Sequence, residues 1–453
     1  MRYVAGAIGS WINSHLIVTI LIVGLFIRAT LSCLFTYCYD VSFWALVIEN
    51  IQSGSGLYEL PGYYYTPVWG YFIAVIGMFA DFALGMDVFG TQVGAFVGVQ
   101  NIDWGFYLDL ITTVEFNLLF KIFFTLIDIA VSYVLYQIVL LQTSSQKKAA
   151  IAFGLWFLCP IVVYTSCVQA MFDSLSVLFM VLTVYMLIKR RYFPAGLSYA
   201  AAAMTKYFPA YLVFVMIGYV LLCNRDDRKE AYRSVGLCVL GAALMLFVIL
   251  LPNILDGDVL TVFAFITSRV GSIGESDGSF LDSLSSNGYT LVLLLQPVIL
   301  ILELLFANNL RKSPSEEAEG NFIFYCLLAS AAVFLWTPVP SYMMIIVPFI
   351  ICHFIVSDRR YKLSMIALFA IPVSYAVVLQ NVGDLFQTAS FLGLISTDSV
   401  INGLEWLGSA SLGGLTNMSL LSLLFGAMET IAIYSVFLTF IRNRCEDRKG
   451  AVD

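Results

Sequence analysis

The stretch "LIVTILIVGLFIRATLSCLF", residues 16–35, decides the fold. It is apolar for about 20 residues, the length an α-helix needs to cross a bilayer core. Similar runs recur to the C-terminus. The chain has 453 residues, 60% of them hydrophobic and only 12% charged, and its mean hydropathy is +0.90. A soluble domain carries about 25% charged residues, so we read an all-α, polytopic membrane protein. The first run is longer than a signal-peptide core and no A-x-A-like site follows it, so we expect it to be retained. The nine cysteines are scattered, with no C-x-x-C or Cys/His cluster, and only His15 and His353 are available. We therefore expect neither a metal site nor a disulfide framework.

Lysine and arginine set the orientation. They cluster at Lys147–Lys148, Lys189–Arg191, Arg225–Arg233, Arg311–Lys312, Arg359–Lys362 and Arg442–Lys449. These loops read as cytoplasmic, as do both termini. The polar loops 37–65, 253–289 and 381–417 are nearly free of basic residues and read as outer loops. Spans are expected near 17–36, 66–82, 117–141, 149–167, 172–188, 235–252, 290–307, 321–338, 341–357, 362–380 and 418–440. Parity asks for a weak crossing near 88–104. The segment 192–222 lies between two basic loops and contains Pro209, so it reads as two short helices or a re-entrant hairpin. The total is about 12 to 14 transmembrane or re-entrant helices, with interfacial helices in the outer loops. The stretch "YDVSFWALVIENIQ" reads as such an interfacial helix, with Phe43, Leu46, Val47 and Ile48 toward lipid. We expect two modules, a catalytic one over 1–222 and a C-terminal transmembrane one over 223–453.

Four basic residues escape the cytoplasmic clusters: Arg28, Lys121, Lys206 and Arg269. A charge inside a span costs at least about 2.5 kcal/mol and so needs a partner or a function. A satisfied ion pair is the structural alternative: Lys121 and Asp128 lie on one helix face at i,i+7, and pairing of either with another helix is equally open. The functional alternative is a set of cations that hold a phosphate at the outer side. Among the acids, Asp40 and Asp173 stand at membrane boundaries beside aromatic residues. An acid at a helix start is also a common cap.

The order of several blocks then resembles a family. They are "YD" at 39–40, "YYYTPVWGY" at 63–71, "KIFFTLIDIAVSYVLY" at 121–136, the run through "CVQAMFDSL" to residue 197, and "AAAMTKYFPAYL" at 201–212. A later block, "FLWTPVPSYMMIIVPF" at 334–349, follows the general pattern. Together they resemble the GT-C superfamily of polyprenol-phosphate-sugar-dependent glycosyltransferases. Within it they are closest to bacterial polyprenol-phosphate-mannose α-mannosyltransferases and the catalytic subunit of GPI mannosyltransferase I. The resemblance implies an inverting, metal-independent enzyme that needs no cofactor beyond its polyprenyl-phosphate sugar donor. It would move a sugar, by resemblance mannose, to a hydroxyl of a glycolipid or glycan at the outer face of the membrane. It implies Asp40 as the base. Arg28, Lys121, Lys206, Arg269, Tyr63, Tyr65, Thr66, Gln169, Asp173 and Tyr207 would bind substrate or phosphate. Such a reaction needs a base for the attacking hydroxyl, cations for the departing phosphate and an apolar groove for the lipid tail, of which 192–222 would form one wall. The alternatives are a flippase or transporter of lipid-linked sugars and a non-catalytic subunit of a surface-polysaccharide assembly complex; the first is the stronger. It too would have broken helices and intramembrane charges. No nucleic-acid partner is expected.

Overall fold

The computed structural model describes residues 15–60, 62–63, 65–81, 85, 113–257, 259–263, 296–333, 340–356, 385–386, 388–389, 393–412, 415–421, 423–428, 430–431 and 434. The expected crossing near 88–104, the span 362–380 and Arg269 lie outside them. So do most of the loop 253–289 and part of the span 418–440.

The chain is helical, as its apolar runs imply. Helix α1 is Leu16–Leu34, α2 Cys38–Gln52, α3 Pro67–Phe79 and α4 Val114–Thr143. Next come α5 Gln146–Phe157, α6 Pro160–Val163, α7 Asp173–Ile188, α8 Tyr192–Thr205, α9 Val213–Cys223 and α10 Arg228–Asp256. The later helices are α11 Gln296–Arg311, α12 Ala318–Val333, α13 Val347–Val356 and α14 Thr397–Gly408. A small antiparallel hairpin, β1 Ala410–Leu412 and β2 Leu415–Thr416, follows α14.

Local chemistry sets several helix ends. The Thr113 hydroxyl accepts from the Phe116 N–H at 3.2 Å and starts α4. One Asp227 carboxylate oxygen accepts from Lys229 and Glu230 at 2.9 and 3.2 Å and starts α10. These bonds satisfy donors that a helix start leaves open. Gly257, at φ 76°, stops α10, because a residue without Cβ takes the left-handed conformation freely. Pro67 and Pro160 each occupy the first turn of a helix, where the missing N–H costs nothing.

Among the described residues α1, α4 and α10 are long and apolar enough to cross a membrane. A fourth candidate is the pair formed by α5 and the segment Pro160–Gln169, bent by 45°. The chain is a membrane protein. Its outer rows are apolar: Phe26 on α1 is 72% exposed, and Leu240, Leu244, Phe247 and Val248 make a comparable row on α10. Without lipid such patches would be an aggregation liability. As expected, 192–222 is broken. Helix α8 ends at Thr205, a 3-10 turn covers Phe208–Leu212, and α9 follows.

Helix α2 corrects one expectation. Val47 and Ile48 are fully buried rather than lipid-facing, and so are Val41, Trp44 and Ala45. The reason is α3, which lies directly on α2. A Cβ on Gly77 would come within 2.3 Å of Ile48, so the glycine lets the helices meet closely. An apolar helix surface can be covered by protein as well as by lipid, and composition does not tell which.

Candidate functional site

The site forms where α2, the turn before α7 and the end of α8 meet. Asp40 stands in the first turn of α2 and is nearly buried. The Tyr37 N–H, just before that helix, donates to the Val168 carbonyl at 3.3 Å. This ties the start of α2 to the segment Tyr164–Gln169, which has π-helical pairing. Single π turns recur at functional sites because the extra residue redirects side chains. Ala170 follows at φ 59°, a conformation that costs a residue with a Cβ about 1–2 kcal/mol. The chain then reverses, and α7 begins at Asp173. Gln169 and Asp173 therefore flank the reversal.

Lys206 approaches from α8. Its own backbone is extended, φ −153° and ψ 138°, and Pro209 follows, so the helix cannot continue. The Lys206 ammonium forms an ion pair with Asp173 Oδ1. It also stands 3.9 Å from the centroid of the Tyr342 ring and 5.2 Å from that of Phe172, within cation–π range. Asp40 is close enough for its charge to act on the same ammonium. Asp173 is 0% exposed and its Oδ2 has no hydrogen-bond partner; Gln169 is 5% exposed and its Oε1 has none either.

Aromatic residues wall this cluster. Trp69 stacks on Phe172 at 4.4 Å, and Trp44 meets Trp69 and Tyr65 edge-on at 5.1 Å each. Tyr58 and Tyr63 hold the wall together by donating to backbone carbonyls of the "YYYTP" stretch. Tyr63 donates to Thr66 at 3.0 Å and Tyr58 to Tyr65 at 2.9 Å. Thr66 donates to the Thr205 carbonyl at 2.8 Å, next to Lys206. Tyr207 donates to the Val262 carbonyl at 2.8 Å. Farther along the same helices, α7 to α10 enclose an apolar crevice lined by Gly196, Tyr199, Met216, Ile217 and Cys238 among others.

The other cations have different neighbours. Arg28 on α1 pairs with Asp128 of α4 at 3.0 Å, and its guanidinium lies 4.0 Å from the Phe157 ring while donating to the Phe157 carbonyl. Ser174 donates to the second Asp128 oxygen at 2.6 Å. Lys121 donates to the carbonyls of Ser32 (3.1 Å) and Phe35 and to the Thr36 hydroxyl at 2.7 Å. Those acceptors stand at the C-terminal end of α1, where a cation is favoured. Asp128 therefore pairs across helices with Arg28, not along α4 with Lys121. Lys206 is the cation that pairs with Asp173.

Sequence reasoning placed Asp40, Thr66, Asp173 and Lys206 in one neighbourhood, and the structure brings them together. It passed over Tyr342, whose ring meets Lys206 from 136 positions away in the chain. It also passed over Glu303, a lone acid in the apolar run of α11. That residue is fully buried and neither carboxylate oxygen has a hydrogen-bond partner. An acid inside an otherwise apolar run was the available signal.

A model of the family described as GPI transamidase subunit PIG-U matches residues 104–344, just over half of the chain. No curated protein and no solved structure matches. The matched range contains Lys121, Asp128, Gln169, Asp173, Lys206, Tyr207 and Tyr342, whereas Asp40, Tyr63, Tyr65 and Thr66 precede it. This agrees with the expected kinship in placing the chain in the GPI pathway and narrows it. The match is to a transamidase subunit of the GPI pathway and not to a mannosyltransferase.

Proposed function

Because this chain belongs to the GPI transamidase subunit PIG-U family, we propose that it works within a protein complex as the membrane subunit that holds a glycosylphosphatidylinositol headgroup. The headgroup would bind at the cluster of Asp40, Gln169, Asp173 and Lys206. The observation that carries this reading is the buried Lys206–Asp173 pair. A buried ion pair is costly to desolvate and is weak support for stability, so its presence among aromatic rings favours a role in binding. Sugars offer apolar C–H faces to rings and hydroxyl donors to acceptors, and Asp173 Oδ2 and Gln169 Oε1 are acceptors without partners. The reading of the basic loops as cytoplasmic supports a non-cytoplasmic position for the cluster.

The test is binding of a glycosylphosphatidylinositol lipid against phosphatidylinositol by the full chain in nanodiscs. We expect at least about a tenfold preference, worth ~1.4 kcal/mol, that falls away in Lys206→Met. Equal binding of both lipids by the unaltered chain overturns the reading.

A second reading is favoured by one observation, the nearly buried carboxylate of Asp40 acting on Lys206. In this reading the chain transfers a sugar from a polyprenyl-phosphate donor, with Asp40 taking the proton of the acceptor hydroxyl. Labelled transfer from polyprenyl-phosphate mannose that disappears in Asp40→Asn would support it. Absence of transfer by the unaltered chain would remove it.

A further inference from the structure

The far end of α7 closes with a turn that glycine usually serves. The Arg190 N–H donates to the Leu187 carbonyl at 2.9 Å and the Arg191 N–H to the Met186 carbonyl at 2.8 Å, the two bonds of a Schellman turn. The residue in its left-handed position is Arg190, at φ 57°. Glycine takes that conformation freely, and a residue with a Cβ is strained in it. Strain of this kind persists where the surrounding structure holds it, and it gathers at functional sites. The turn leads into the start of α8. Lys206 lies past the other end of that helix, 14 residues and about 20 Å away.

The turn brings Arg190 and Arg191 to a cleft of about 590 Å³ between the α7–α8 and α9–α10 connections. Asn224, after α9, and Glu230, Arg233 and Leu237 of α10 line it as well. Glu230 is matched to Arg233 at 3.3 Å. Asn224 donates to the Tyr192 hydroxyl at 3.0 Å and the Val220 carbonyl at 2.8 Å. Arg190 and Arg191 have no such match: among the described residues no carboxylate lies within ion-pair distance of either. The Arg190 guanidinium stands 5.8 Å from the centroid of the Tyr219 ring, a contact that orients it without neutralising its charge.

Two unmatched guanidinium groups suit a dianion. A phosphomonoester carries close to two negative charges at neutral pH and three acceptor oxygens, which the planar donor fork of arginine fits in pairs. A phosphodiester or a carboxylate brings one charge. Helix α10 shows what the phosphate would be attached to. Arg233, Leu237, Leu240, Leu244 and Val248 follow one another at spacings of three and four residues and so share one face. Leu240, Leu244 and Val248 are 58%, 47% and 56% exposed. The face therefore passes from the charged cleft to a bare apolar row within two turns, about 10 Å. A lipid with its phosphate in the cleft and its chains along that row uses both features, whereas free phosphate uses only the first. Basic pockets at the ends of membrane helices on the side of the basic loops are suited to anionic lipids, which concentrate in the cytoplasmic leaflet.

We propose that this cleft binds the phosphomonoester headgroup of a membrane lipid, with the phosphate on Arg190 and Arg191 and the acyl chains along the exposed face of α10. The site is separate from the cluster around Lys206 and does not depend on the function read from it.

The experiment titrates the full chain in phosphatidylcholine nanodiscs, with empty nanodiscs as the blank. The probes are short-chain phosphatidate, short-chain phosphatidylglycerol, inorganic phosphate and poly-glutamate. We expect phosphatidate to bind at least about tenfold more tightly than each of the others. Arg190→Gly should cut phosphatidate binding several-fold and yet raise the midpoint of thermal unfolding, because glycine relieves the turn. Arg191→Gln should cut binding with the midpoint unchanged. Equal binding of phosphatidate and phosphatidylglycerol overturns the monoester assignment. Inorganic phosphate that binds as tightly as phosphatidate overturns the lipid assignment, and so does tighter binding of poly-glutamate, which would make the cleft a docking site for an acidic protein segment. Full phosphatidate binding by both variants overturns the site itself.

Discussion

The Thr66 hydroxyl donates to the carbonyl of Thr205 across 2.8 Å, and both residues are buried. This bond joins two sequence blocks 139 residues apart, "YYYTP" and "TKYFP", at the residue before Lys206. The Thr205 carbonyl belongs to the last turn of α8, where helix carbonyls lack intrahelical partners. Thr66→Val keeps the shape and removes the donor. It should destabilise the chain by about 1–3 kcal/mol, the cost of a buried acceptor left unmet. The midpoint of thermal unfolding in detergent measures this. Thr66→Ser should restore most of the loss. Equal midpoints for all three forms would show that the bond contributes nothing.

Arg28 and Asp128 form a brace between α1 and α4, with Ser174 completing it from α7. Both side chains are buried, so removing one leaves an uncompensated charge, which costs about 3–5 kcal/mol. Asp128→Leu should therefore be severe. The double change Arg28→Met with Asp128→Leu should recover most of the stability, because apolar groups of similar volume replace a buried pair at little cost. Lipid binding should follow stability in these variants. A double variant that is stable but no longer binds the headgroup would instead make Arg28 part of the site.

These two cases show what could be read from the sequence and what could not. That Arg28 needed a partner followed from its place in an apolar run. That the partner is Asp128 did not, because the two are 100 residues apart and joined only by the packing of α1 on α4. Asp40, Asp173 and Lys206 were legible as charges in unusual places, and their blocks as a familiar order. The burial of α2 was not legible. Its apolar face fits lipid or protein equally well, and the deciding feature is the missing Cβ of Gly77 on another helix. Tyr342 was hidden for a similar reason: a ring in an aromatic-rich chain stands out only once Lys206 lies over it.

Lys121 offers three donor bonds to the end of α1, two of them to the carbonyls of Ser32 and Phe35. Lys121→Met keeps the apolar stem and removes the charge. It should cost about 1.5–3 kcal/mol, the range for a bond to a charged group, and should expose the amides of residues 31–36 to faster hydrogen exchange. Exchange unchanged in that stretch would sink the capping role. Lys121→Arg should be intermediate, since the planar guanidinium does not reproduce three converging donors.

The last prediction concerns the contact that sets the position of α8 and hence of Lys206 at its end. Helices α8 and α10 touch backbone to backbone. A Cβ on Gly196 would meet the Cys238 carbonyl oxygen at 1.9 Å, and one on Gly241 would meet the Phe193 carbonyl oxygen at 2.2 Å. Neither obstacle is a side-chain tip that can swing aside, so Gly196→Ala must push the helices apart. Overpacking of this kind costs about 1–3 kcal/mol, and it should also weaken headgroup binding by shifting the Lys206–Asp173 pair. Gly236 lies on the same helix α10, and a Cβ there meets nothing within 4 Å. Gly236→Ala should therefore be neutral or stabilise by up to about 1 kcal/mol through helix propensity. Thermal unfolding and lipid binding of the two variants side by side provide the check. Equal behaviour of Gly196→Ala and Gly236→Ala would mean that the close approach of α8 and α10 does not position the site.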